Sequence, residues 1–232
     1  MEVFVIPLGL DRYELYCEAP AEAPSPDAPT GGIVGRLRHA FAVMLYQADA
    51  RQRGGEFVSL HDPSWLARLR QHILGWVAER VADQRLLWNL RGESSSVAVY
   101  PQDLTYEQAV TVIRHTLRRD FERHRIWLVV DGALLAVSGV LALLPGPNLL
   151  AYFFAFRVMG HWLSLRGASQ GLHRVTWTGR PCGPLSELRA VAALDAATRA
   201  QRVRDIAARL QLPHLSAFFE RVAVRREATG HL

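Results

Sequence analysis

The chain has 232 residues, a formal charge of +5, 50% hydrophobic residues and a mean hydropathy of +0.03. A polytopic transporter would be far more apolar, so at most one or two segments enter a membrane and the rest must be solvated. All 27 basic residues are Arg, in keeping with a GC-rich genome. They are spread among acidic neighbours without an Arg-rich tail, a Cys/His finger or a stacked-aromatic sheet motif, which speaks against a nucleic-acid partner.

From the N-terminus, Met1–Ile6 alternates with β-branched and aromatic residues, and Arg12–Cys17 reads similarly, so residues 1–17 predict a short β hairpin. The opening stretch is Pro-broken and preceded by Glu2, unlike a cleaved secretory signal. Residues 18–32, with four prolines, read as a Pro/Ala linker. Residues 33–125 read as a solvated helical part. Within it, one helix spans Ile33–Arg51, a second runs from Trp65 to Leu90 behind an Asp62 cap, and a strand covers Val97–Tyr100. A third helix starts near Thr105 and can continue unbroken past residue 125.

Next comes an apolar run, Ile126–Phe156, with Asp131 its one charge and a break at Pro145, Gly146, Pro147 and Asn148. Both prolines stop a helix and Gly146 and Asn148 tolerate a turn, so the chain bends there. The first leg, Ile126–Leu144, is about 28 Å of helix, close to a bilayer's hydrocarbon thickness. Residues 126–170 therefore predict a membrane hairpin. The competing reading is a buried central hairpin in a soluble or peripheral helical interaction protein. Helix is expected to last until Gly171, followed by a strand at Val175–Thr178, a turn at 179–184 and two helices separated at Pro213, making residues 171–232 a C-terminal helical part. The fold class expected is mainly α with minor β: a helical membrane-associated protein whose apolar hairpin is broken at PGPN.

The hairpin carries the candidate site. At about 100° per residue, Asp120, His124, Asp131 and Ser138 share a narrow sector of the first leg. Arg157, Gly160 and Ser164 share a face of the second, with His161 at its border. Antiparallel legs place Asp131 and His161 about 20 Å from the bend, at similar depth, with Arg157 within reach of Asp131. Ionisable groups at membrane depth usually mark ion paths, which makes Asp131, His161, Arg157, His124 and Ser138 candidates for handling protons or cations. The alternative is an Asp131–Arg157 bridge that merely neutralises charge. Arg114, Arg118, Arg119, Arg123 and Arg125 precede the first leg, and Arg166, Arg174 and Arg180 follow the second. The positive-inside tendency then puts both termini on the cytoplasmic side.

Residues 143–172, LLPGPNLLAYFFAFRVMGHWLSLRGASQGL, resemble the mitochondrial K⁺–H⁺ exchange-related family. The resemblance rests on Pro145, Pro147, Asn148, Tyr152–Phe154, Phe156, Arg157, His161 and Arg166–Ala168. It implies a membrane-associated component or regulator of potassium/proton exchange, with K⁺ and H⁺ as the ions handled. It supplies no established ion-binding residues. The Arg-only composition and the acidic start favour a bacterial relative in the inner membrane. Its partners would be the lipid bilayer and either further copies or other membrane proteins, because two short legs cannot enclose an ion path alone.

Other chemistry is hard to find in the sequence. Without Lys a P-loop is impossible. Cys17 and Cys182 lie outside any CxxC spacing, and Asp120/His124 or His115/His124 lack further ligands. No cofactor, metal or enzymatic activity is expected.

Overall fold

In the computed structural model, which describes residues 1–9, 11–18, 84–140 and 149–229, the alternation at the N-terminus becomes a strand buried on both faces. Strand β1 (Glu2–Pro7) sends Val3 and Val5 to one side and Phe4 and Ile6 to the other, and all four are buried. The side-chain period of two produces this division. β1 pairs antiparallel with β2 (Tyr13–Tyr16), setting Phe4 opposite Tyr16, and parallel with β3 (Ser95–Pro101), setting Val3 opposite Ala98. β3 in turn pairs parallel with β4 (Thr176–Cys182). The sheet order is β2-β1-β3-β4.

Parallel neighbours require a long connection. The one between β3 and β4 is a pair of helices, α1 (Tyr106–Val140) and α2 (Leu149–His173). The base of this pair, with Ile113, Leu117 and Ala168, packs on Val3, Val5 and Tyr100 together with Leu86, Leu87 and Leu90 of the helical residues 84–90. The opposite sheet face receives α3 (Gly183–Val191), α4 (Ala196–Leu210) and α5 (Leu215–Thr229). Their Leu188, Ile206 and Phe219 cover Phe4, Ile6 and Val99. Helices on both faces are what a sheet with buried parallel strands requires.

Several local expectations change. Residues 179–184 are not simply a turn, because β4 continues to Cys182 along the whole of β3. Pro181 is tolerated there since β4 is the last strand of the described sheet, and Gly179 leaves room for the Tyr106 ring, whose Cδ2 would stand 2.4 Å from an added Cβ. The C-terminal part holds three helices, not two. An additional break falls at 192–195, where the Asp195 side chain accepts from Thr198 N–H at 3.0 Å and starts α4. α4 then ends on Gln211 in the left-handed conformation, φ 57°, shortly before Pro213.

The main correction concerns the hairpin. The protein is mostly helical with a small mixed four-stranded sheet, and among the described residues no helix is long and apolar enough to cross a membrane. α1 runs unbroken for 35 residues, but its first half is charged. Its apolar part within the described residues, Ile126–Val140, is about 22 Å long, short of a bilayer core of about 30 Å. α2 carries Arg157 and His161 within its own apolar stretch. The expected membrane-associated fold, the inner-membrane location and the cytoplasmic placement of both termini rested on a span that these helices do not provide. The bend at Pro145, Gly146, Pro147 and Asn148, like the expected linker and the helices before residue 84, lies outside the described residues.

Candidate functional site

α1 and α2 run antiparallel, and above their apolar base polar side chains meet between them. Arg157 Nε donates to Asp131 Oδ2 at 2.9 Å, and His161 Nε2 stands 3.1 Å from the same oxygen. On the other edge of the His161 ring, Nδ1 lies 2.8 Å from His124 Nδ1. Asp131 is 1% exposed, and both histidines are buried. The four side chains thus form one continuous chain from His124 through His161 to Asp131 and Arg157. The guanidinium is clasped by aromatic rings, with its Cζ 5.5 Å from the Trp127 centroid and 5.8 Å from that of Phe153.

Hydrogen-bond chemistry sets the protons. A carboxylate only accepts, so His161 presents Nε2–H to Asp131. In a neutral His161 ring, Nδ1 is then an acceptor, which makes His124 the donor through Nδ1–H. One added proton reverses that bond: His161 becomes an imidazolium donating from Nδ1, and His124 carries its hydrogen on Nε2. The chain can therefore take up a proton and pass it between rings by exchanging tautomers. Asp131 Oδ1 is buried without a hydrogen-bond partner among the described residues, leaving a second acceptor at the inner end.

Small residues on α2 make the close approach possible. The Gly160 carbonyl accepts from Ser164 Oγ at 2.9 Å and from Trp88 Nε1 at 3.3 Å, and the same indole N–H lies 3.0 Å from Ser164 Oγ. One turn on, a Cβ at Gly167 would stand 1.6 Å from the Leu87 carbonyl oxygen. At Gly171 it would meet Leu117 Cδ1 at 2.8 Å, while the Gly171 carbonyl accepts from Trp177 Nε1 at 3.0 Å. These contacts fix α2 against Leu86–Leu90 and β4, and so set the depth at which His161 meets its partners.

Among the sequence candidates, Asp131, Arg157, His161 and His124 are in contact. Ser138 is buried on the same face of α1, but about 10 Å along the axis from Asp131, and its hydroxyl donates to Leu135 O at 2.9 Å within its own helix. Asp120 belongs to a different group: Arg119 lies 3.5 Å from it and 2.9 Å from Glu14. Burial pushes the Asp120 carboxyl above the ordinary carboxylate range, although the neighbouring Arg119 draws it down. Among the described residues no group of three or more His, Cys, Asp or Glu suited to a metal occurs. Sequence reasoning missed the direct His124–His161 contact and the Trp88 brace. The first was not given by the register, because legs that set Asp131 level with His161 put His124 about 10 Å further from the bend. The second had no signal, because Trp88 reaches α2 only through the tertiary arrangement.

The family model described as "Mitochondrial K+-H+ exchange-related" matches residues 68–175, just under half of the chain, and that stretch contains all four side chains of the site. The match bears out the resemblance carried by the PGPN-to-RGA block. No curated protein and no solved structure matches the chain.

Proposed function

We propose that this protein of the K⁺–H⁺ exchange-related family is not itself the exchanger. It would be a proton-responsive helical interaction protein that acts on exchange through the state of its α1–α2 pair. The supporting observation is the buried His124–His161–Asp131 chain, with both ring nitrogens of His161 engaged at 2.8 and 3.1 Å. Its neutral form balances Asp131 against Arg157. A proton arriving on the histidines adds one net charge to a buried interface, which biases the packing of the two helices. No catalytic step is assigned, and no cofactor is invoked.

The test is K⁺-dependent proton flux in vesicles from cells lacking the chain, complemented with wild type, His161→Ala or Asp131→Asn. The expected result is that both variants shift the pH dependence of flux while the protein remains folded. Unchanged flux in both would remove the proton role. A second reading, a purely structural Asp131–Arg157 bridge, is favoured by the 2.9 Å bond between them. It predicts lower melting temperatures with an unaltered pH profile of flux.

A further inference from the structure

The amphipathic pattern of α1 is inverted along its second half. Its polar residues His124, Asp131 and Ser138 are buried, whereas Ile126, Val129 and Val137 are 60%, 69% and 66% exposed. At about 100° per residue, Ile126, Val129, Val130, Ala133 and Val137 occupy one sector of about 100°, nearly opposite the buried polar face. Trp127 and Leu134 extend this stripe along one side, and both are exposed. Most surface helices show water their charges. This one shows a β-branched stripe interrupted by no charge.

The exposed parts of these side chains amount to about 600 Å² per chain, at the upper end of the largest apolar patch on an ordinary monomer. Two such patches pressed together remove about 1,200 Å² from water, which reaches the lower bound for specific protein interfaces. The pattern is self-complementary in one direction only. Parallel pairing would set the exposed Arg118, Arg119, Arg123 and Arg125 of one copy beside the same residues of the other. Antiparallel pairing places these two stretches at opposite ends of the stripe, with Ile126 opposite Val137, Val129 opposite Leu134 and Val130 opposite Ala133, so that apolar residues meet along its length.

We infer that this face of α1 joins two copies of the chain in an antiparallel, two-fold symmetric dimer. An isologous contact of this kind closes on itself and leaves no apolar stripe in water. The inference does not depend on the proton reading, since the stripe and the histidines lie on opposite faces.

The full chain, analysed by light scattering after gel filtration at micromolar concentration, should be a dimer. Val129→Glu with Val137→Glu should weaken association at least tenfold with far-UV circular dichroism unchanged. A second arm does not require the charged variant to fold. In a Cys182→Ser background, chains carrying Ile126→Cys mixed with chains carrying Val137→Cys should cross-link on oxidation, and Ile126→Cys alone should not. A monomeric wild type would overturn the proposal, as would a dimer indifferent to both Glu substitutions or a cross-link between two Ile126→Cys chains. So would a monomer that floats with phosphatidylglycerol-containing vesicles and loses them in the double variant, which would assign the stripe to lipid.

Discussion

Asp131 shows how much a single carboxylate can organise when it is closed off from water. Its Oδ2 receives Arg157 and His161 while its Oδ1 stays buried, so the charge is stable only as long as its partners remain. Removing one member of a buried pair leaves an uncompensated charge, at a cost of roughly 3–5 kcal/mol. Arg157→Leu should therefore lower unfolding stability by about that amount in urea titrations. Asp131→Asn combined with Arg157→Leu should lose less than half as much, because no lone charge remains. Asp120 behaves in the opposite sense. Its pKa is raised by desolvation, so the folded state favours the protonated acid: stability is gained as pH falls through that raised value and is lost again above it. Asp120→Asn should then flatten stability against pH just above the ordinary carboxylate range, and equilibrium unfolding across a pH series reads this directly.

At the scale of elements, the α1–α2 pair depends on where side chains are missing. Gly167 sits with its Cα against the Leu87 backbone, and a carbonyl oxygen cannot swing aside as a side-chain terminus can. Gly167→Ala should displace α2 from Leu86–Leu90 and destabilise by about 3 kcal/mol or more, as severe overpacking does. Gly132 is the control, for nothing lies within 4 Å of an added Cβ there. Gly132→Ala should stabilise by about 0.5–1 kcal/mol through helix propensity alone. Thermal unfolding of the two variants side by side separates packing from propensity. The depth of Asp131 and His161 was legible here, since helical spacing from the PGPN bend put them level and left Arg157 one turn nearer the bend, within reach of Asp131. The Trp88 and Leu87 contacts were not, because they depend on residues more than seventy positions away.

For the whole molecule, the sheet divides the core into two halves, and the C-terminal helices close one of them. Phe219 is fully buried against the face carrying Phe4 and Ile6, so Phe219→Ala should cost about 3–5 kcal/mol in chemical denaturation. That loss would fall on a sheet face remote from the histidine chain, so the protonation behaviour of the surviving folded protein should be retained, as imidazole NMR titration would read. The α/β/α layering also bears on the failure of the membrane expectation. An apolar run of this length predicts a lipid-facing hairpin, but the base of the helix pair packs on the sheet. Its polar face is turned inward, and among the described residues no helix is long and apolar enough to cross a membrane.

What the amino-acid order determined by itself was local or periodic. It specified the alternating β1, the long helix continuing through residue 126, the antiparallel register that gathers Asp131, Arg157 and His161, and the family block around them, because each arises from spacing within a few turns of chain. The tertiary structure alone decided which face of α1 is buried and which is exposed, that β4 extends to Cys182 beside β3, and that His124 touches His161 at 2.8 Å. Hydrophobicity records that a side chain avoids water without recording what will cover it. That choice is made only when distant segments compete for the same face.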